Sequence, residues 1–315
     1  MKALILAAGL GTRMRPITET TPKPLCPFFG VPSIDYAIRQ VCSVTSEIAV
    51  NTHYLSDQLS NHISRYHGNK DIHISHEPEL LDTGGAISNI SEWIGEDDLL
   101  IYNSDIICDI QLEALVTSFQ QSSSLATMVL LDQHVSGTAP VTVLNHAVVN
   151  IGGSQPSVGS KHTFSGIHLL SREFTRQIPI NTVSSVIDAY QKVLGQKKRV
   201  SAYLHDSYWT DLGTPKSYWK SHIDVINDPS LFKALGIGRL RGEYSKPKLA
   251  IDQTSQSAYP YSHSSKTAYT KSLVDLQRPE KTPVKVSHSI VYADSLDSSE
   301  SYENVIVVGK ERLSF

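Results

Sequence analysis

Gly9, Gly11, Thr12 and Arg13 stand directly behind an apolar run, Ala3–Ala8, and Lys23 follows between Pro22 and Pro24. A glycine-rich turn at a strand's end lets backbone N–H groups approach phosphate oxygens, and an arginine there adds a forked cation. The flanking prolines restrict the backbone around Lys23, and a lysine fixed at the edge of a phosphate site suits neutralising charge during phosphoryl transfer. The loop is not a Walker A sequence, because no Gly-Lys-Ser/Thr closes it. Nor is it a dinucleotide fingerprint, since Met14 occupies the place of the third glycine. Later segments carry further candidates: Glu77-Pro-Glu79 through Thr83-Gly84-Gly85, Asn103-Ser104-Asp105, Phe164-Ser165-Gly166-Ile167, and Trp209-Thr-Asp211-Leu-Gly-Thr-Pro215.

The elements that must position these residues alternate along the chain. Residues 3–8, 47–51, 72–75 and 98–102 read as strands. Ile34, Ala37, Ile38 and Val41 fall on one helical face, as do Leu59 with Ile63, Ala86 through Trp93, and Leu112 with Leu115, Val116 and Phe119. Further strands are expected at 124–132, 141–151, 163–170 and 199–205, with helices near 182–194 and 214–226. Strands alternating with helices of this length predict an α/β fold: a Rossmann-like mixed, mainly parallel sheet flanked by helices. Ligands of such sheets bind beyond the carboxyl ends of the strands, where the motifs above fall.

Periodicity fades over 231–283, which reads as an extended connection. In 284–315, Val284, Ile290, Leu296, Tyr302 and Val308 recur every six residues. Ser287, Ala293, Ser299 and Val305 follow three positions behind, and Asp297 and Glu303 one position behind. That double pattern predicts a small β-helix-like (hexapeptide) extension, with one or two β-hairpins as the alternative. A few short coils cannot stand alone, so they must pack on the main domain or on a second subunit, which would make a homo-oligomer.

The balance of 28 basic and 31 acidic residues gives a net charge of −3, which argues against a nucleic-acid-binding face. Three widely spaced cysteines indicate neither a disulfide framework nor a zinc site, and fit a reducing, cytoplasmic setting. No apolar stretch approaches the ~18 residues of a membrane span, so no membrane partner is expected.

Taken in order, Leu6-Ala-Ala8-Gly9-Leu-Gly11-Thr12-Arg13 through Pro16-Ile-Thr18 and Pro22-Lys23-Pro24 resembles the signature of the sugar-1-phosphate nucleotidyltransferases. The resemblance runs over about residues 1–226 and makes 1–230 the nucleotidyltransferase domain. It implies that Leu6, Ala8, Gly9, Gly11, Thr12 and Arg13 wrap the NTP, and that Arg13 and Lys23 are the catalytic cations on the phosphates of the two substrates. Glu77–Ala86 occupies the base-reading position. There either Glu77 or Glu79 would accept hydrogen bonds from the base, beside Thr83, Gly84 and Gly85 at a helix N-terminus. Asn103, Phe164, Ser165, Gly166 and Lys23 would line the sugar-phosphate pocket. Asp105 and Asp211 match the family's two ligands for Mg²⁺, an ion that commonly takes one or two carboxylates plus substrate phosphates.

The L-x-T-G-G and T-F-S-G-I elements look closest to N-acetylmuramate-1-phosphate uridylyltransferases, whereas the N-S-D motif and the tail look more like mannose-1-phosphate guanylyltransferases. In one place the chain departs from the pattern. Where many members carry E-K-P before the F-x-G-I strand, it has Gly152–Lys161, leaving Lys161 as the candidate substitute. The expected reaction joins an NTP and a sugar 1-phosphate into an NDP-sugar and pyrophosphate. The rival reading is a catalytically silent regulatory subunit that binds sugar nucleotides.

Overall fold

The computed structural model describes residues 1–315 except 133, 136, 153–157, 245–248, 253–256, 261–268, 277–285 and 294–299. The chain forms two compact units. The first comprises Met1–Gly9, Ala37–Ile106 and Ile110–Trp209, and the second comprises Leu10–Tyr36, Ile107–Asp109 and Thr210–Phe315. Among the described residues no helix is long and apolar enough to cross a membrane.

The first unit is built on nine strands: β1 (Lys2–Leu6), β2 (Ile48–Thr52), β3 (Ile72–His76), β4 (Leu99–Asn103), β5 (Ala126–Leu131), β6 (Pro140–Leu144), β7 (Ala147–Ile151), β8 (Ser160–Leu170) and β9 (Val200–His205). Their order across the sheet is β3-β2-β1-β4-β8-β5-β9-β7-β6. The run β3-β2-β1-β4 is parallel throughout, with Ala3 opposite both Ile48 and Leu100. β1 is therefore central and covered on both faces, so Ala3, Leu4 and Ile5 are fully buried and the strand reads as a continuous apolar run. The helices Asp82–Asn89 and Val186–Gly195 bury Ala86, Ile87, Tyr190 and Val193 in the same core as Leu4 and Ile101.

β8 runs antiparallel to β4 and β5, which makes the sheet mixed. Its pairing of Ile167 with Tyr102 brings the Phe164–Gly166 segment to the carboxyl end of β4. Two expectations change here. The strand expected at 141–151 is a hairpin, turned at Asn145 and His146, both with positive φ. Its turn lacks the glycine that usually marks such a reversal, so the pattern ran on through it. The helical face from Ala86 to Trp93 belongs to two helices, Asp82–Asn89 and Ser91–Ile94, which meet at Ile90.

In the second unit the glycine-rich sequence continues through short turns at Thr12–Met14, Ile17–Thr20 and Lys23–Leu25 into a hairpin, Pro27–Phe28 with Val31–Pro32. The helix Pro215–Asn227 follows Thr214, whose hydroxyl accepts from Ser217 N while Ser217 Oγ accepts from Thr214 N, a reciprocal cap. Within 231–283, which reads as an extended connection, the described residues include regular elements. The helices Pro229–Ala234 and Ile237–Glu243 are followed by strands at Leu249–Asp252, Ser257–Pro260, Tyr269–Thr270 and Leu273–Leu276. Elements this short never complete enough turns or alternations to register as a period.

From Ser257 onward the chain coils. Ser257–Pro260, Leu273–Leu276, Ile290–Ala293 and Val305–Val308 stack in parallel, while Tyr269–Thr270, Val286–Ser287 and Tyr302–Glu303 form a second parallel sheet. Glu311–Ser314 closes the first sheet antiparallel to Val305–Val308. Val274, Val286, Val291, Tyr302, Val305 and Val307 fill the coil interior. At one corner the buried residues Ser257, Ser272 and Ser289 form a ladder, in which Ser289 N donates to Ser272 Oγ (3.1 Å) and Val305 N to Ser289 Oγ (3.2 Å). Of the six-residue series, Val284, Leu296, Asp297 and Ser299 lie outside the described residues. Leu273 faces Ile290, which faces Ile306, so successive strands are spaced by more than two six-residue steps and fewer than three.

Candidate functional site

In the first unit the parallel strands end together, and candidate residues stand at or just behind those ends. Leu6 is half-buried opposite Asn103, and its carbonyl accepts from Ser104 N at 3.0 Å. Ala8 is buried, while Gly9 is exposed with nothing near the position of an added Cβ. The Ala7 N–H donates to Asn51 Oδ1 at 2.6 Å, and Asn51 Nδ2 donates to Glu77 Oε1 at 2.7 Å. Glu77 Oε2 accepts from Leu81 N at 3.0 Å, and Glu77 N donates to Thr52 O at 2.8 Å.

Glu77 is 0% exposed, so its carboxylate is a brace that ties the start of the glycine-rich loop to the segment 77–81 and offers a base no open oxygen. Glu79 is exposed, which leaves it as the glutamate of this segment that faces outward. The expected glycines also have another use. Gly84 N and Gly85 N donate to Ser184 O at 2.7 and 3.1 Å, and Thr83 Oγ1 accepts from Val186 N at 3.0 Å. A Cβ on Gly84 would lie 2.7 Å from Ser184 O, and one on Gly85 3.0 Å from Thr182 O. The glycines thus let residues 182–186 close against this helix start, a neighbour that the local sequence does not reveal.

Asn103, at the end of β4, meets the kink in β8. Gly166 has φ +82, the pairing register shifts between Phe164 and His168, and a Cβ on Gly166 would lie 2.5 Å from Asn103 Nδ2. Ser165 holds the kink from inside: its hydroxyl donates to Val129 O (2.8 Å) and accepts from Ile167 N (3.2 Å), while Trp209 Nε1 donates to Ser165 O (3.1 Å). Phe164 is half-buried and packs edge-on to His168, whose Nδ1 pairs with Tyr190 OH at 2.7 Å. Burial pulls the His168 pKa down to about 3, so this imidazole is neutral. Lys161 is exposed on the same strand opposite Thr142, roughly 16 Å along it from Gly166 at ~3.3 Å per residue, and is not brought to Asn103. Asp105 is half-buried in the turn between β4 and Ile106–Cys108.

The second unit gathers the cations. Gly11 has φ +64, and a Cβ there would stand 2.9 Å from Thr18 Cγ2 and 3.2 Å from Lys23 Cβ. Thr18 Oγ1 donates to Gly11 O at 2.8 Å, so the glycine lets the chain fold over until the half-buried Lys23 packs against it. Thr12 and Arg13 are exposed. Arg13 lies against the other signature: a Cβ on Gly213 would be 2.9 Å from Arg13 Nη2 and 2.6 Å from Asp211 Oδ1. Asp211 Oδ1 accepts from Gly213 N (2.7 Å) and Ser217 Oγ (3.3 Å), which fixes the carboxylate at the start of the capped helix. Cys26, just behind Lys23, is kept a neutral thiol by burial, which raises its pKa to about 12 against the opposing effect of Lys23.

Residues 2–137 match the family model described as "Nucleotidyl transferase". The chain is 32% identical over 232 residues to the N-acetylmuramate alpha-1-phosphate uridylyltransferase of Neisseria meningitidis serogroup B, covering 68% of this chain and 94% of that protein. The chain belongs to the sugar-1-phosphate nucleotidyltransferase family. It is an enzyme of that type. It is also 28% identical over 229 residues to the mannose-1-phosphate guanylyltransferase catalytic subunit beta of Xenopus tropicalis, covering 69% of this chain but only 62% of that one. The match to a putative mannose-1-phosphate guanyltransferase of Sulfolobus acidocaldarius, at 25% identity, likewise spans 63% of the relative.

Two solved structures share the fold. One is a putative glucose-1-phosphate thymidylyltransferase from Bacillus anthracis (TM-score 0.62, 20% identity, 70% of this chain and 94% of that one). The other is HddC from Yersinia pseudotuberculosis complexed with GMP-PN (TM-score 0.59, 23% identity, 71% and 98%).

Several residues that brace the candidate residues were not singled out in the sequence reading. Asn51 leaves one trace, a polar residue inside the apolar strand Ile48–Thr52, whereas Ser184 and Ser217 look in sequence like ordinary surface positions. Asp105 in the first unit and Asp211 in the second are each a half-buried carboxylate directly behind or at the end of a strand, and Asp211 is held through one oxygen; carboxylate oxygens are the donors a hard cation takes.

Proposed function

We propose that the enzyme moves a nucleoside monophosphate from an NTP to a sugar 1-phosphate by direct in-line displacement, with Mg²⁺ bound by Asp105 and Asp211. The observation that carries this reading is the second unit's cluster, in which Arg13 lies against Gly213 beside the anchored Asp211 carboxylate and Lys23 packs on Gly11. Both reactants are anions, so positioning and counter-charge are what the protein must supply. Arg13 holds the leaving pyrophosphate and Lys23 the sugar phosphate. The attacking phosphate oxygen is already ionised, so no general base is needed. Mg²⁺ would add counter-charge where the two phosphates meet. The N–H groups of Ala8 to Gly11 receive the triphosphate, Asn103 and the Gly166 kink receive the sugar, and Glu79 is the remaining glutamate for the base. Arg13, Lys23, Asp105 and Asp211 are all present, so the regulatory-subunit reading is not favoured.

The test is pyrophosphate release from UTP, GTP, CTP, ATP and dTTP crossed with several sugar 1-phosphates and with Mg²⁺ or chelator. N-Acetylmuramate 1-phosphate with UTP and mannose 1-phosphate with GTP are the leading pairs, because relatives are named for them. Mg²⁺-dependent release with one pair is the expected result. Silence across the whole panel overturns the reading.

A further inference from the structure

The hairpin directly behind Lys23 is gripped by its own backbone. Three consecutive carbonyls each accept from a side chain on a different part of the second unit: Pro27 O from Tyr218 OH, Phe28 O from Tyr36 OH (2.9 Å), and Phe29 O from Arg241 Nη1 (2.5 Å). Phe29 N donates to His222 Nε2 at 3.5 Å. The tautomer follows from the partners. His222 Nδ1–H donates to Tyr218 O at 2.7 Å, so Nε2 is the acceptor, and the Tyr292 hydroxyl donates to it at 2.7 Å. Burial, which pulls the His222 pKa down to about 3, keeps Nε2 unprotonated.

Two of these holds are set by the coil stack. Tyr292 stands on the strand Ile290–Ala293, and Asp275, on Leu273–Leu276, pairs with Arg241 at 2.6 Å with both side chains 4% exposed. Gly30 is required by the same contact, since a Cβ there would lie 2.3 Å from Asp275 Oδ2. A surface hairpin satisfied by solvent needs none of this. Desolvating an arginine, an aspartate and a histidine to hold one turn is costly unless the turn's placement matters.

We propose that the C-terminal coil stack acts within its own chain as a positioning element for Lys23, through Tyr292–His222–Phe29 and Asp275–Arg241–Phe29. The role rests on the assignment of Lys23 to the sugar phosphate. The connection is short: Cys26 N donates to Lys23 O at 3.0 Å, Ser33 N to Cys26 O at 3.1 Å and Ser33 Oγ to Pro24 O at 3.1 Å, so the hairpin closes back on the turn that carries the lysine. A slack hairpin therefore loosens the Lys23 turn before it disturbs the glycine loop.

The test uses Tyr292→Phe, which removes a single hydroxyl, with Asp275→Asn as the stronger lesion. Hydrogen–deuterium exchange of peptides spanning 22–32 reads the clamp without any substrate. Faster exchange there in Tyr292→Phe, at an unchanged far-UV spectrum, is expected. In steady-state assays the variant should lower kcat/KM for the sugar 1-phosphate about threefold to tenfold, with the KM for NTP unchanged. The same substitution in a Lys23→Ala background should cost less than about 1.5-fold, because its effect passes through the lysine. Equal losses in both backgrounds, or unchanged exchange at 22–32, overturn the proposal. If no NTP and sugar phosphate pair is turned over by the unaltered enzyme, the functional reading fails, and the exchange measurement still decides whether the coil stack holds the hairpin.

Discussion

Replacing Glu77 by glutamine separates a brace from a base reader, because glutamine keeps the shape and changes only which atoms accept. Glu77 accepts twice, from Asn51 Nδ2 at 2.7 Å and from Leu81 N at 3.0 Å, and Asn51 accepts in turn from Ala7 N at 2.6 Å. Glutamine offers one acceptor and one donor group. If its oxygen faces Leu81 N, its amide nitrogen faces Asn51. Asn51 must then flip, and its own nitrogen meets the Ala7 N–H. If its oxygen instead faces Asn51, its nitrogen meets the Leu81 N–H.

Either way one donor is set against another inside a fully buried site, at a cost of about 1–3 kcal/mol. That corresponds to a fall in the melting midpoint of roughly 2–4 °C per kcal/mol for a unit of this size. Because the mismatch settles on Ala7 or Leu81, the KM for NTP should rise along with the loss of stability. Glu79→Gln, on the exposed neighbour, should leave the midpoint unchanged. Thermal melts of the three proteins, with NTP KM values measured alongside, decide the matter. An unchanged midpoint for Glu77→Gln together with a switched base preference would refute the argument, since it would mean the carboxylate is free to face a ligand.

Asp105→Asn should abolish turnover at an unchanged melting midpoint; near-normal pyrophosphate release would remove Asp105 from the metal assignment. Gly213→Ala places a methyl 2.9 Å from Arg13 Nη2 and 2.6 Å from Asp211 Oδ1, and its backbone does not require glycine. It should lower kcat/KM by at least about tenfold while the midpoint moves by no more than roughly 1 kcal/mol, as read by kinetics and urea titration. His168 and His222 are held neutral by burial with pKa values near 3, below their unfolded value of 6.5. The unfolded chain therefore binds more protons than the folded one between about pH 6.5 and 3. Stability is complete above that window and falls within it by up to about 1.4 kcal/mol per pH unit for each histidine. Denaturation midpoints across pH 7 to 4 in His168→Gln should show a shallower fall than the parent protein, and an equal slope would exclude His168 as a source.

The strands β1 to β4 and their connecting helices were legible because each is long enough to show its period, and central parallel strands are apolar on both faces. The hairpin at 140–151 was not, since Asn145-His146 carries no glycine to mark the reversal. Nor were the short helices and strands from 229 to 276, which never accumulate a period. The candidate residues for the chemistry were visible for a different reason: phosphate and metal chemistry tolerate few side-chain types, so Gly9, Gly11, Arg13, Lys23, Asp105 and Asp211 stand out as candidates by type and order.

What the sequence alone determined, then, was the reaction class and the strand-end placement of its groups. Tertiary structure decided which of the polar residues turn inward. Glu77 and Glu79 are two positions apart and chemically alike, yet one is buried by Asn51 and Leu81 while the other faces solvent. Gly84 and Gly85 could serve an approaching ligand or an approaching backbone, and Ser184, about a hundred residues away, settles it for the backbone. The tail's grip on Phe29 is likewise invisible in sequence, because Asp275 and Tyr292 acquire meaning only when the coils bring them to Arg241 and His222. Local pattern reports what a segment prefers; the identity of its partner is a long-range fact, fixed by the fold.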